Sequence, residues 1–268
     1  MSQHVQRRSF LGLALTGLAG AQLNRHPRRW STPPELASTF PRQDPGMVEE
    51  MLKVSHGGLA RVKQLLEAHP AVAKAAIDWG FGDWEDALGA ASHTGRRDIA
   101  DLLLAHGARP TLFSATMMGQ LETVKALIVA TPGAQRIPGP HSLTLLHHAR
   151  VGGDRARSVR EFLEQLGDAD AGTPLVALDA GALSGCIGSY GFGSGANDRL
   201  DIAAAKQGGL SIFRPGLLFS RDLRHVGDFA FFPIGAESVR IRFAVANGRA
   251  TSVSVFDPDV IVTADRLA

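Results

Sequence analysis

Residues 84–110, WEDALGAASHTGRRDIADLLLAHGARP, constrain the fold more than any other stretch of the chain. Ala87, Leu88, Ala90 and Ala91 fall on one face of a short helix that stops at Gly95. Ile99, Leu102, Leu103 and Leu104 mark a second helix that stops at Gly107. A helix end often takes a left-handed residue, and glycine supplies that conformation without steric cost. Two helices this short cannot bury their own apolar faces, so the unit demands stacked neighbours of the same kind.

Those neighbours are legible as repeats. Aligning on Gly58, Gly95, Gly119 and Gly153 puts Met51, Leu88, Leu112 and Leu146 seven positions earlier. Val62, Ile99 and Thr123 fall four positions after the first three glycines, and Leu66, Leu103 and Leu127 eight after. In the fourth unit Val159, Phe162 and Leu163 come into line only after two extra residues. The glycine intervals are 37, 24 and 34. This helix–Gly–helix–Gly-Ala pattern resembles the ankyrin repeat, whose period is about 33 residues. The resemblance implies a degenerate α-solenoid of four repeats over residues 47–170 that recognises a protein partner through its inner helices. On that basis His56, His93, Arg96, Met117 and Arg150 are expected near the concave face. The histidine column continues as Met117 and Val151, and His147-His148 stands too far along such a stack to be a partner for it. With no close ligand pair of the HExxH kind, no metal site is expected. Residues 70–84 replace the first connection and carry Trp79, Phe81 and Trp84, aromatics that either cradle a ligand or seal an irregular junction.

From residue 171 the texture changes to glycine-rich, alternating runs. Strands are expected at 185–190, 200–205, 210–214, 221–225, 229–232, 239–245, 251–256 and 260–264. In 239–245 apolar and polar residues alternate, giving one buried and one wet face. Asn247-Gly248 between two such runs is a hairpin turn signal. Short strands with no helix between them predict an up-and-down antiparallel sheet curling into a barrel. Leu183-Ser-Gly-Cys186-Ile-Gly188-Ser-Tyr190 resembles the opening Leu-x-x-Tyr-x-Gly-x-Tyr of a lipocalin-like domain, with Cys186 in place of the first Tyr. Phe231-Phe232, 239–243 and the final Ala264-Asp265-Arg266 follow the same rhythm. Such domains are appended to serine hydrolases of the penicillin-binding type, where they are accessory. The resemblance therefore implies packing, or contact with a small apolar ligand, rather than catalysis.

At the N-terminus, Gln6-Arg7-Arg8-Ser9-Phe10-Leu11 resembles a twin-arginine (Tat) export signal. An apolar run of about ten residues and the small residues Ala19-Gly20-Ala21 follow it, and that run is too short to span a bilayer. Residues 1–21 are thus expected to be a signal peptide directing the chain to the periplasm, and 22–46 a proline-rich linker. Six arginines against Glu35 and Asp44 in residues 1–46 account for more than the whole net charge of +2. The folded remainder carries no basic excess, which argues against nucleic acid.

Templates for chemistry fail in turn. The single cysteine, Cys186, excludes an intrachain disulfide and a cysteine metal site, and it fits a buried, inert strand residue. Gly191-Phe-Gly193-Ser194-Gly195 has neither the serine position of a nucleophile elbow nor a helix after it. No Ser-x-x-Lys occurs. The expectation is a multidomain α-then-β chain, an exported interaction module without cofactor whose partner the sequence does not identify. The alternative is a small-molecule carrier or enzyme with its site in the β domain or at the domain junction, for example around Arg224, His225 and Asp228.

Overall fold

The computed structural model describes residues 40–217 and 219–268, so the expected export signal and most of the expected linker lie outside the described residues. Among the described residues eight α-helices come first: α1 (Pro45–Ser55), α2 (Leu59–Ala68), α3 (Ala87–His93), α4 (Arg97–Ala105), α5 (Leu112–Met117), α6 (Leu121–Ala130), α7 (Leu145–Val151) and α8 (Arg157–Leu166). α1 begins inside the segment expected to be linker, because Pro45 suits the first turn of a helix and Asp44 caps it by accepting from the Met47 amide. The odd-numbered helices all start from such a side-chain cap. Asp86 caps α3, Thr111 with Ser114 forms a capping box on α5, and Thr144 caps α7. The even-numbered helices have no side-chain cap and are held by the apolar face they bury.

The helices pack in pairs, α1 on α2 through α7 on α8, with α1, α3, α5 and α7 adjacent in succession. α3 also touches α7 directly. The interval of 24 leaves only the six-residue α5 between them and brings the fourth pair back toward the second. The turns at Gly95 and Gly119 make this possible. Both are left-handed (φ +70° and +76°), and a Cβ would collide with the Val151 carbonyl at one and the Arg155 carbonyl at the other. In the third pair the buried column is displaced by one residue. Val124 is wholly buried while Leu127 is 40% exposed, unlike its counterparts Leu66 and Leu103.

Between α2 and α3 the chain forms a finger hairpin, β1 (Ala76–Asp78) with β2 (Trp84–Asp86). After α8 a further helix, α9 (Ala180–Cys186), precedes eight strands. These are β3 (Gly188–Gly191), β4 (Arg199–Ala204), β5 (Leu210–Phe213), β6 (Arg221–Gly227), β7 (Ala230–Pro233), β8 (Arg240–Ala246), β9 (Arg249–Asp257) and β10 (Asp259–Arg266). Each pairs antiparallel with the next, and β10 returns to β3 to close the barrel. All eight expected strands are present within a few residues. The start is the exception: residues 180–186 are helical because Asp179 caps them, so Cys186 ends a helix instead of lying on a strand. Asn247 and Gly248 both hold positive φ in the turn between β8 and β9, the geometry a two-residue hairpin requires. Ile241 and Phe243 face Val255 and Val253 inside the barrel. α9 lies at the Asn247–Gly248 end, where Gly185 rests on the Gly248 carbonyl. The other end of the barrel faces the finger.

Candidate functional site

Asp83 and Glu85 sit two residues apart on the finger, and an extended backbone turns such side chains to the same side. Both are buried, at 2% and 0% exposure. The hairpin turn that delivers them is tight: Gly80, Phe81 and Gly82 all have positive φ, and the Trp79 amide donates to the Asp83 carbonyl at 2.8 Å. Trp79 Nε1 also donates to Glu85 Oε2 at 2.8 Å.

Asp83 joins the helical part to the barrel. It accepts from His141 twice, from the backbone amide on Oδ1 and from Nδ1 on Oδ2, each at 2.9 Å, and it forms an ion pair with Arg221 of β6. Arg221 also donates to the Ile234 carbonyl. Gly235, left-handed at φ +84°, lies so close to Asp83 that a Cβ would collide with its carboxylate. The Gly235 amide donates to Ser142 Oγ at 2.7 Å. His141 and Ser142 themselves hold φ of +59° and +60°, a conformation that costs about 1–3 kcal/mol outside glycine and survives only where contacts enforce it.

Three histidine rings surround Glu85. His93 Nδ1 is 3.1 Å from Oε1, off the line a hydrogen bond needs, and His56 Nε2 is 3.8 Å from the same oxygen. His141 Nε2 is 3.4 Å from Oε2. The rings of His56 and His93 meet edge-on at 4.9 Å, and those of His93 and His141 at 5.5 Å. Burial opposes the charge on each group, but the close approach of His141 and His93 outweighs it at Glu85, whose pKa falls to about 2. At Asp83 burial is likewise overcome, by the His141 hydrogen bonds and the Arg221 charge, and the carboxyl stays below its usual range. Burial would depress His141, yet its hydrogen bonds to Asp83 and the nearby carboxylate of Glu85 raise it to about 9. His56, Glu85 and His141 are the residues able to hold a metal ion here.

A pocket of about 430 Å³ opens beside this cluster, between the finger and the barrel end opposite α9. Trp79 and Phe81 form one wall, and Leu200, Ile212, Val255 and Val262 of the barrel form the other. Trp79 packs edge-on against Phe219 with ring centres 4.5 Å apart. The pocket's polar side chains are Asp78, Arg214 and Arg221, and Arg221 Nε is buried without a hydrogen-bond partner. Trp79 and Phe81 thus line a hollow, whereas Trp84 is exposed.

Of the five residues expected to face a partner, His56 and His93 come together around Glu85. Met117 has no exposed surface and belongs to the core of the first two helix pairs. Arg96 binds Asp98 and the Gly57 carbonyl, and Arg150 binds Asp170, each on the exterior. His147 is not remote from the histidine column: its Nε2 lies 2.9 Å from the His93 carbonyl, because α7 folds back onto α3. Arg224, His225 and Asp228 do not converge, since His225 Nδ1 is tied to the Val176 carbonyl and Asp228 occupies the turn after β6. Among the described residues, no serine or threonine hydroxyl and no thiol hydrogen-bonds to a histidine of the cluster. Sequence reasoning missed Asp83, Glu85, His141 and Arg221. The Asp-Trp-Glu alternation at 83–85 is a strand-like signal for the carboxylates, whereas His141 and Arg221 are gathered only by tertiary folding.

No protein-family model matches the chain, and no curated protein matches it significantly.

Proposed function

We propose that the chain is an exported binding protein in which a degenerate ankyrin-type array holds the open end of a lipocalin-like barrel. Its ligand is a small amphipathic molecule with an apolar body and an anionic or hydrogen-bond-accepting head. The observation that carries this reading is Arg221, which lines an otherwise largely apolar pocket and whose buried Nε has no hydrogen-bond partner. A buried donor left unmatched costs about 1–3 kcal/mol, and more when charged, so an acceptor in the pocket recovers that loss. A volume of about 430 Å³ suits a small ligand. Arg214, whose guanidinium stacks over Phe192 at 5.2 Å, adds positive charge at the rim.

The helices then serve the barrel. A protein partner would have to use residues other than buried Met117 and His93, or the already paired Arg96 and Arg150.

Anilinonaphthalene sulfonate, an anionic apolar fluorophore, tests the pocket. One saturable site is expected, weakened at least tenfold by Val262→Trp, which fills the hollow from a partly exposed wall position, and several-fold by Arg214→Gln. Absence of saturable binding, or undiminished binding by Val262→Trp, would refute the assignment. Export is tested separately by cell fractionation of an Arg7→Lys, Arg8→Lys double variant, which should stay in the cytoplasm.

A further inference from the structure

Glu85 presents a physical problem that the amphipathic ligand does not solve. Its side chain is wholly buried, yet no donor is aligned on Oε1; His93 Nδ1, in a side chain only 8% exposed, is equally unmatched. Buried polar atoms are rarely left so, and a carboxylate least of all.

The surrounding histidines are arranged as ligands. His56 Nδ1 lies 2.9 Å from the Leu52 carbonyl one helical turn earlier, and His141 Nδ1 lies 2.9 Å from Asp83. In each ring Nδ1 faces an acceptor, which directs Nε2 toward the Glu85 carboxylate, and an ion binding there would displace the second proton of His141. One ring nitrogen from each of these two histidines and a Glu85 carboxylate oxygen lie within 4.8 Å of one another. Metal-bound histidines are held in this way, with the far nitrogen donating to a carboxylate or a backbone carbonyl. The gaps also fit. Ligands about 2.0–2.1 Å from zinc at tetrahedral corners are roughly 3.3–3.4 Å apart. The Glu85 oxygens are 3.4 Å from His141 Nε2 and 3.8 Å from His56 Nε2, longer than good hydrogen bonds and close to that spacing.

We propose that His56, Glu85 and His141 bind a divalent transition-metal ion of the zinc class, with solvent free to complete the set. Two imidazoles and a carboxylate suit a cation of borderline softness and disfavour calcium or magnesium. The side chain of His56 is 34% exposed, which gives the ion a path in from solvent. Bound metal would tie α1, the finger and the 140–142 turn together, and Asp83 would extend the tie to Arg221 of the barrel.

The experiment is titration of the chelator-stripped protein with Zn²⁺ by calorimetry, together with Co²⁺ substitution read from its visible spectrum. One ion per chain is expected, with a nitrogen–oxygen tetrahedral cobalt spectrum and a higher melting temperature. His56→Ala and His141→Ala should each weaken binding at least tenfold, Asp83→Asn about 10–100-fold through the outer shell, and exposed His69→Ala not at all. Glu85→Gln should abolish binding. Should that core variant fail to fold, His56→Ala decides the matter, because truncation at a partly exposed position leaves the core filled. Absence of stoichiometric Zn²⁺ binding, or binding of equal strength by His56→Ala, overturns the proposal and leaves the cluster as an ion-pair latch between finger and barrel.

Discussion

The two ends of the barrel each turn on one arginine, and the two arginines are satisfied differently. At the α9 end Arg266 donates to the carbonyls of Gly185, Ile187 and Ala250 and to the Tyr190 hydroxyl, which in turn donates to the Cys186 carbonyl. At the finger end Arg221 holds Asp83 and the Ile234 carbonyl but leaves Nε unmatched, and beside it Glu85 Oε1 and His93 Nδ1 are unmatched as well. One end is sealed by the protein's own atoms. The other carries polar capacity in excess of what the chain itself uses, which is the physical mark of a site rather than a plug.

The largest expected effect follows from the sealed end. Arg266→Leu strips several buried acceptors of one charged donor and should cost about 4 kcal/mol in denaturant unfolding. If that end is purely structural, the variant should still bind one Zn²⁺ and one anilinonaphthalene sulfonate under conditions where it stays folded. Loss of either from the folded protein would break the division of labour between the ends.

Acid supplies an effect that belongs to neither end. Burial in the fourth helix pair, with a further push from the charges of His147 and His93, lowers the pKa of His148 to about 4. Its folded pKa lies below its unfolded value, so its contribution is complete above about pH 6.5 and is lost as pH falls toward 4. The loss amounts to roughly 3 kcal/mol over that window. Unfolding free energies at pH 7 and pH 4.5 should show that slope, and His148→Leu should flatten it.

A smaller and more local effect separates the ends again. Gly185→Ala drives a Cβ into the Gly248 carbonyl, and Gly235→Ala drives one into Asp83 while straining a left-handed backbone. Each should cost about 2 kcal/mol, as overpacking does. Only Gly235→Ala should weaken Zn²⁺ binding, because it displaces the carboxylate that orients His141. Equal metal affinities in the two variants would show that Asp83 does not position the ligand set.

The sealed end was far more legible in the sequence than the open one. Strand alternation, the Asn247-Gly248 turn and the Cys186–Tyr190 and Ala264–Arg266 motifs are local signals, and the barrel closes where those motifs meet. The helix pairs were legible for the same reason, each being a short-range pattern of apolar residues and glycines. α9 was missed because its capping residue, Asp179, precedes a run of small residues with little helical periodicity. The cluster was half visible. The repeat alignment put His56 and His93 in one column, but it spoke against His147 as their neighbour, since a regular stack does not bring α7 back to α3. Glu85 and His141 belong to the finger and to an irregular turn, segments that no periodicity describes, and Arg221 lies on a strand of the other structural layer.

Cys186 offers the mildest test of the comparison, since the prediction is that nothing happens. The thiol has no exposed surface, and burial pushes its pKa up to about 11 although the positive charge of Arg266 opposes that shift. The thiolate is the reactive form, so at pH 8 only about one molecule in a thousand would carry it, and the reagent must also reach a closed barrel end. Iodoacetamide should therefore leave the native protein unmodified over hours and label it stoichiometrically in denaturant. Rapid native labelling would mean that the α9 end opens, and the contrast between a sealed end and an open one would then be a difference in rate rather than in kind.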